Sequence, residues 1–235
     1  MTTTPEPLFE HLDVLDDRPP HGAALNMALD EVLLGGLGGR PLLRVYRWER
    51  PAVSFGYFEP YEAVARLFPG RELVRRWTGG GTVEHGADWT YSLLVPRSHP
   101  VTNLRAGKSY RLVHHALREA FVRLGWGAPV LAEGSSASSQ AAVRACFVQP
   151  VEHDLLQDGR KLGGAAQRRT RAGLLHQGSV QRTGSDPAGL ERLAAILPRV
   201  LAIRWRARGL QPGELARAHA LAADRYAAPA WLRRR

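Results

Sequence analysis

The most regular hydrophobic pattern in the chain is an alternation near residue 90. Its apolar members occupy every second position: Trp89, Tyr91, Leu93 and Val95. A period of two is typical of a half-buried β-strand. A shorter apolar pair, Leu73 and Val74, precedes it, and three glycines lie between the two runs. Residues 71–95 are therefore predicted to form a strand, a glycine loop and a second strand.

Two longer stretches repeat their apolar side chains at the helical period. Residues 24–34 carry one such stripe, with Asn26 as a candidate N-cap and the GGLGG run after Leu34 as the end of the helix. Residues 109–124 carry another, with Ser109 as a candidate cap. Both stretches are predicted to be helices that pack one face against a core.

The other patterns are weaker. Strands are predicted over 42–48, 52–58, 154–157, 160–166 and 174–180, and helices over 60–68, 187–208 (apart from Pro198) and 214–226. Residues 1–20 show no clear period and are predicted to be an N-terminal arm. No internal repeat is visible, so the chain is interpreted as one non-repeating unit.

Length and composition limit the class of protein. The chain has 235 residues, 44% of them hydrophobic, which fits a single domain over residues 1–235. No run of about 18 apolar residues predicts a membrane span, and the acidic N-terminus lacks the apolar segment of a secretory signal. One cysteine excludes an internal disulfide. A reducing cytoplasm is the expected location.

The charge is strongly basic, with 32 Lys and Arg against 22 Asp and Glu, a net charge of +10. Nucleic acid is not favoured as a partner, because the basic residues are scattered apart from a cluster at 168–171 and the tail at 233–235. An acidic protein partner fits the same charge through electrostatic steering. Lys108 and Lys161 are the only lysines, so arginine supplies almost all of the positive charge.

The glycine loop is the first candidate for chemistry. Three consecutive glycines, 79–81, leave the main chain bare, so that its N–H groups can meet an anion or a carbonyl. Arg75 and Arg76 precede the loop and His85 follows it. No Gly-Lys-Ser/Thr ends the loop and no helical period follows, which excludes a Walker loop and a dinucleotide fingerprint. A plain hairpin turn stays open as the alternative.

Five segments together resemble one family, the lipoate- and biotin-ligase superfamily with its octanoyltransferase branch. The segments are LNMALDEVLL, LLRVYRWERPAVSFGYF, RRWTGGGTVEHGADWTYS, the set CF, GRKLGGAAQRR and LLHQGSV, and a closing DRY and W. The resemblance implies an α+β fold, in which a large mixed β-sheet and a smaller sheet are flanked by helices. Many ligases of the superfamily carry an extra C-terminal domain, and from the length of this chain a single catalytic domain without one is expected.

The resemblance places an acyl chain in a tunnel across the sheet. It implies that the carbonyl end is lined by Arg76, Thr78, Gly79, Gly80, Gly81 and His85. Lys161 would stand beside the carbonyl, and the backbone of Gly164, Ala165 and Ala166 would run along the acyl group. His85 has a second interpretation, as a base, and His176 is expected to be structural. The spacing of His and Cys fits no metal site.

Two chemistries occur in the superfamily, and Cys146 in CFVQP favours one of them. A transferase needs no cofactor: it moves octanoate from acyl carrier protein to a cysteine, here Cys146, and then to a lysine of an apo lipoyl domain. Such acceptors are the glycine cleavage H protein and the E2 component of 2-oxoacid dehydrogenases. The alternative is a ligase that uses ATP and Mg²⁺, forms lipoyl-adenylate and depends on Lys161. A non-catalytic acyl- or nucleic-acid-binding module is the third hypothesis.

Physical chemistry supports a pairing of Cys146 with Lys161. A neighbouring ammonium lowers the pKa of a thiol and so increases its thiolate fraction. A lysine kept in a chain that otherwise uses arginine indicates that a compact point charge is wanted. The alternative is that Cys146 is a small buried hydrophobe, a common fate of a lone cysteine.

Overall fold

The computed structural model describes residues 6–134, 150–181 and 187–234, and Cys146 lies outside these ranges. The strands, in chain order, are β1 (Phe9–His21), β2 (Leu42–Trp48), β3 (Ala52–Phe55), β4 (Glu72–Arg75), β5 (Thr82–His85), β6 (Trp89–Pro96), β7 (Val130–Leu131), β8 (Leu155–Gln157), β9 (Arg160–Arg169), β10 (Gly173–Val180) and β11 (Ala202–Ala207). The α-helices are α1 (Ala23–Gly35), α2 (Tyr61–Leu67), α3 (Ala106–Arg123), α4 (Pro187–Leu201), α5 (Pro212–Leu221) and α6 (Pro229–Leu232). A 3-10 turn (Pro100–Asn103) and a π-helical turn (Ala222–Tyr226) complete the elements.

The strands form two sheets. The large one has the order β11-β1-β2-β6-β10-β9-β8-β7, and the small one the order β4-β3-β5. In the large sheet β1 runs parallel to both β11 and β2, and the remaining pairs are antiparallel. In the small sheet β3 is parallel to β4 and antiparallel to β5. The predicted α+β fold with a large mixed sheet and a smaller sheet is confirmed.

Helices cover both faces of the large sheet. Residues of α3 and α4 share one hydrophobic core with strand residues such as Tyr91 and Leu93. On the other face α1 and α5 share a second core with strand residues such as Leu94 and Leu175. Because both faces are covered, β6 is buried along its whole length, although its alternation predicted a half-buried strand. Burying one such leucine contributes about 2 kcal/mol.

A buried ion cluster ties the centre of the large sheet to α1. The Arg44 guanidinium on β2 is fully buried and lies 2.8 Å from both Asp17 and Asp30. It also donates to the Asn26 side chain at 2.7 Å. Asn26 was predicted to cap α1, and this is wrong: the cap position is Gly22, and the amide of Asn26 is used inside the molecule. Buried charges of this kind are tolerated because each is paired and hydrogen-bonded.

Two further predictions about the ends of the sheet are wrong. Residues 1–20 were expected to form an arm, but β1, a 13-residue strand, begins at Phe9 and ends at His21. The predicted helix over 187–208 ends at Leu201, and the chain continues as β11. These two strands pair with each other in parallel from Phe9↔Ala202 onwards. Hydrogen bonds between segments so distant in sequence override local propensity, which is why neither strand shows in the local pattern.

The long helix begins earlier than predicted. Helix α3 starts at Ala106, and Ser109 lies inside its first turn, where the hydroxyl donates to the Ala106 carbonyl and to the Gln167 side chain. In the part of the chain that the structure describes, no helix is both long and apolar enough to cross a bilayer.

Candidate functional site

A narrow cavity lies between β9 and β10 of the large sheet and the small sheet. Its apolar wall is formed by Met27, Tyr46, Trp48 and Val83. Six of the residues that the sequence nominated also line it: Arg76, His85, Lys161, Gly164, Ala165 and Ala166. A wide cleft adjoins the cavity, and the two share His85 and Lys161 as lining residues. Most of the exposed lining of this cavity is apolar, which suits the hydrocarbon part of an acyl chain.

Lys161 stands at this junction as one half of a buried ion pair. Its ammonium lies 2.6 Å from Asp154 Oδ2, and the two side chains are 4% and 0% exposed. The N–H of Val151 donates to the same carboxylate oxygen at 2.7 Å. The Tyr110 hydroxyl of α3 donates to the other oxygen, Oδ1. The carboxylate therefore holds the ammonium in one place.

Gly164 is the residue whose missing side chain makes room for this pair. A Cβ atom there would lie 2.5 Å from Lys161 Cε and 2.7 Å from Lys161 Nζ. It would also lie 3.1 Å from Asp154 Oδ1. Any larger residue at this position would have to displace the lysine, so the glycine is required by the site and not by the strand.

Arg76 organises the glycine loop from inside. Its guanidinium donates to the carbonyl oxygens of Gly79 at 3.0 Å and Gly81 at 2.8 Å, and to Ser54 Oγ at 2.8 Å. Gly80 between them has a φ of +84°, which favours glycine. The three glycines are not among the residues that line the cavity, and the carbonyls of two of them face Arg76. The loop thus supports Arg76, and Arg76 itself faces the cavity.

Thr78 also lies behind the cavity wall. Its hydroxyl donates to Gln177 Oε1 at 2.7 Å, and the amide of Gln177 donates to Asp30 at 2.7 Å. The glycine loop is thereby attached to the buried ion cluster of Arg44. Thr78 therefore does not line the cavity itself but holds Gln177, which does.

His85 is held on three sides. Its Nε2 lies 2.6 Å from Ser54 Oγ, its Nδ1 lies 2.7 Å from Asp88 Oδ2, and its ring stacks on Trp48 at 4.0 Å. Ser54 Oγ also accepts a hydrogen bond from Arg76, so this one hydroxyl contacts both the guanidinium and the imidazole.

Asp88 in turn is the end of this hydrogen-bonded line. Burial would raise its pKa, but the charge and hydrogen bond of His85, with a hydrogen bond from Ser179, hold the pKa of Asp88 below its usual value. An ionised carboxylate accepts the hydrogen on Nδ1 and so orients the imidazole. Both ring nitrogens of His85 are thus engaged, which fits a residue that positions Ser54 and Arg76 better than a free base.

Two histidines lie beneath the site. His176 is buried and contacts the Tyr91 hydroxyl at 3.2 Å and the Gln167 amide at 2.9 Å. Burial lowers the pKa of His176 to about 3. Burial and the nearby His176 also lower the pKa of His114 well below its usual value. Both rings are neutral in the folded protein and serve as structural groups.

Sequence reasoning did not nominate Ser54, Asp88, Tyr110 or Asp154. Asp88 stands three residues after His85, and this spacing is the one local signal that was available. The other three come from β3, α3 and the turn before β8, so that only the fold brings them to the site. Cys146 lies outside the described residues. Within the described ranges, no group of three or more His, Cys, Asp or Glu side chains is arranged to hold a metal ion.

Comparison with known proteins gives the class to which this fold and cavity belong. Residues 22–209 match the family described as the lipoyl protein ligase A/B catalytic domain. The chain therefore belongs to this family, and the resemblance inferred from the sequence is confirmed. The match begins just before α1 and ends just after β11, so it includes every residue described above as lining the cavity.

Curated relatives within the family belong to the octanoyltransferase branch. Octanoyltransferase LipM of Staphylococcus aureus is 34% identical over 166 residues, which cover 66% of this chain and 60% of the relative. Octanoyltransferase LipM of Geobacillus kaustophilus is 36% identical over 170 residues, which cover 67% of this chain and 60% of the relative. The match thus spans about 60% of the length of these relatives.

Solved structures agree on the fold. A T. acidophilum lipoate protein ligase with bound lipoic acid superimposes with a TM-score of 0.77 at 19% identity, over 94% of this chain and 98% of that one. A lipoate-protein ligase A with bound ATP gives a TM-score of 0.75 at 20% identity, over the same shares of the two chains. At this level of identity the likeness concerns the fold alone.

Proposed function

We propose that the protein transfers an octanoyl group from an acyl carrier protein to a lysine of an apo lipoyl domain, through a thioester on Cys146. The observation that carries the proposal is the meeting of the Lys161 ammonium with the backbone of residues 164–166 beside an apolar cavity. An acyl chain in the cavity would bring its carbonyl to this ammonium. The similarity to the LipM octanoyltransferases supports the reaction class.

The position of Cys146 in the chain supports its part in the reaction. Pro150 lines the same cleft as Lys161. Four residues of chain span at most about 14 Å, which is the largest distance that can separate Cys146 from Pro150. A thiol that approaches the Lys161 ammonium would gain thiolate character and become a nucleophile.

The proposed reaction has two displacements. Cys146 Sγ attacks the carbonyl carbon of the donor thioester, and the bond to the carrier sulfur breaks, which releases the carrier thiol. The amine of the acceptor lysine then attacks the same carbon. An amide forms, the bond to Cys146 breaks, and the cysteine recovers its thiol. The Lys161 ammonium stabilises the negative charge that develops on the carbonyl oxygen in each step.

The basic surface suits the two proposed partners. The net charge of +10 would attract an acidic carrier and an acidic lipoyl domain and would speed their encounter. Raising the salt concentration is expected to lower the rate at limiting carrier protein, because screening shortens the range of this attraction.

Intact-mass analysis tests the proposal. Incubation with octanoyl-acyl carrier protein is expected to add one octanoyl group to the wild-type protein and none to Cys146→Ala. Lys161→Ala is expected to slow the addition by about 100-fold or more. The matched control is Lys108→Ala, which removes the only other lysine, an exposed one on α3.

Two results would contradict the proposal. Octanoyl transfer to an apo lipoyl domain at the wild-type rate by Cys146→Ala would remove the thioester route. Lipoyl transfer from free lipoate and ATP, without any carrier protein, would instead establish the ligase alternative, in which Lys161 is essential and Cys146 is dispensable.

A further inference from the structure

We infer that Tyr110 and Asp154 are positioning residues for the transfer reaction, and that they hold the Lys161 ammonium and the acyl-contacting backbone at Ala165 as one unit. This inference rests on the proposed function, in which Lys161 acts on the acyl carbonyl. The four residues are called the Tyr110 clamp below. They come from three separate elements, α3, the turn before β8, and β9.

The first half of the clamp fixes the ammonium. Asp154 receives three hydrogen-bond donors: the Lys161 ammonium and the Val151 N–H on Oδ2, and the Tyr110 hydroxyl on Oδ1. Burial and the Asp154 carboxylate raise the pKa of Tyr110 well above its usual value, so its hydroxyl keeps the proton that it donates. Because both oxygens of the carboxylate are hydrogen-bonded, Asp154 has a fixed orientation and so fixes the position of the Lys161 ammonium.

The second half of the clamp fixes the strand. The Tyr110 hydroxyl also accepts from the Ala165 N–H at 2.8 Å. Strand β8 pairs with β9 only as far as Gly163, and among the described residues no strand pairs with β9 beyond that point on this side. The tyrosine oxygen satisfies the backbone N–H of Ala165, and this bond holds the backbone that lines the cavity.

One hydroxyl thus joins the catalytic charge to the wall of the cavity. A hydrogen-bonded path runs from Lys161 Nζ through Asp154 to Tyr110 Oη and on to the N–H of Ala165. Lys161 and Ala165 lie on the same strand, so the path closes into a ring. Removing Tyr110 Oη breaks two hydrogen bonds of this ring, the one to Asp154 and the one from Ala165. The Lys161–Asp154 ion pair and strand β9 are still present.

Such an opening is expected to affect the chemical step more than binding. A misplacement of about 1 Å at a reacting group can lower a rate by about 100-fold. The apolar cavity wall, which supplies most of the contact area for an acyl chain, does not include Tyr110. Tyr110→Phe should therefore lower kcat and leave KM for the acyl donor almost unchanged.

The chain offers a matched control in Tyr226. Its hydroxyl also donates to a carboxylate, Glu31 Oε2 at 2.7 Å, and that carboxylate is also paired with a cation, Arg225, at 2.6 Å. This second tyrosine is also buried, 1% exposed against 9% for Tyr110, but belongs to the α1 and α5 side of the sheet. Tyr226→Phe removes the same group from the same kind of cluster and has no path to Lys161.

The test compares the two variants in the full-length protein, with octanoyl-acyl carrier protein as donor and an apo lipoyl domain as acceptor. We expect Tyr110→Phe to lower kcat by about tenfold or more and to change KM by less than about twofold. Tyr226→Phe is expected to keep kcat within about twofold. In a Lys161→Ala background, Tyr110→Phe should cause a smaller further loss of kcat than in the wild type, because only its hold on the Ala165 backbone is then removed.

A kcat of Tyr110→Phe equal to that of Tyr226→Phe would overturn the inference, as would an effect confined to KM. If Tyr110→Phe does not fold, Asp154→Asn and its control Glu31→Gln give the same comparison. Should the protein use lipoate and ATP instead, the proposed function fails, and the same kcat ratios measured on that reaction decide the clamp separately. Full activity of Lys161→Ala with either donor would remove the role assigned to that lysine and, with it, the clamp.

Discussion

Arg75 and Arg76 are adjacent residues of the same type, and the structure gives them unrelated tasks. Arg76 holds the glycine loop and faces the cavity. Arg75 points to the other side, where its guanidinium donates to the carbonyl oxygens of Trp231 and Leu232 near the end of the described chain. Successive residues at the end of a strand face opposite directions. The sequence before the glycine loop offered two arginines that could contact a ligand, and only Arg76 lines the cavity.

At the same scale, Gly164→Ala is expected to impair catalysis without unfolding the protein. The new methyl group would overlap the end of the flexible Lys161 side chain, which can move, so the cost falls on the position of the ammonium. We expect kcat to fall by about 10-fold to 100-fold. Steady-state kinetics with a melting curve for each variant measures both effects.

Gly163→Ala is the control for that substitution. A Cβ at Gly163 meets nothing closer than Leu155 Cδ1 at 3.5 Å, an ordinary contact. Its kcat is expected to stay within about twofold of wild type, since the lysine is undisturbed. Equal losses in both variants would show that the strand, and not the lysine, is what the glycines protect.

At the scale of elements, contacts with α6 help to hold the small sheet in position. Helix α6 has only four residues and cannot be stable alone. It is fixed to β4 by Arg75, and the Trp231 indole N–H donates back to the Arg75 carbonyl at 3.1 Å. The guanidinium also binds the carbonyls of Tyr57 and Glu59 at 2.8 Å each. One buried cation thereby joins β4, the turn after β3, and α6.

Arg75→Met is therefore expected to destabilise this joint. It would leave several partly buried carbonyl oxygens without a donor, at a cost of about 3 kcal/mol in the free energy of unfolding. Amide hydrogen exchange of residues 229–234 should accelerate selectively. Arg233→Met is the control, because that side chain is 61% exposed and its ion pair with Glu62 is worth little. Unchanged exchange in Arg75→Met would contradict the assigned role.

At the scale of the whole molecule, the large sheet is covered on both faces and polar groups are buried inside it. On β6, Thr90 and Ser92 face the same side as the cavity and are bonded to Asp88 and Asp30 respectively. His176 and His114 are buried on the α3 side. Stability therefore depends on the protonation state of groups that water does not reach.

The unfolding free energy should fall as the pH falls from about 6.5. The two buried histidines have folded-state pKa values below their usual value of 6.5, so in acid the unfolded chain binds protons that the folded chain does not. Each histidine contributes a loss of about 1.4 kcal/mol per pH unit below its unfolded pKa, until its folded pKa is reached. Urea unfolding between pH 7.5 and 5.0 measures this slope above the range in which the carboxylates titrate.

His176→Gln is expected to reduce the dependence of the unfolding free energy on pH by about 1.4 kcal/mol per pH unit, the contribution of one proton. His219→Gln, which changes an exposed histidine on α5, is expected to leave the slope as in wild type. A His176→Gln slope equal to that of wild type would mean that the ring is protonated in the folded protein, contrary to its burial.

Much of the fold and part of the candidate site could be predicted from the sequence. The strong periods at 24–34, 89–95 and 109–124 became α1, β6 and α3, because an amphipathic segment has few other ways to bury its apolar face. The motif around the glycine loop and the run GRKLGGAA nominated residues that now line one cavity. These signals are local, so they can be read from adjacent positions.

What the sequence by itself determined is thus the set of elements with strong local patterns, the family, and the nomination of Lys161 and its glycine. Only the tertiary structure decided that β1 and β11 are strands, that Arg75 and Arg76 diverge, and that Tyr110 and Asp154 meet Lys161. Tyr110 and Lys161 are 51 positions apart in sequence. Their elements, α3 and β9, were both predicted, but the contact between them was not. The physical reason is that hydrogen bonds between distant segments depend on how the elements pack, and a pattern of neighbouring residues carries no record of that packing.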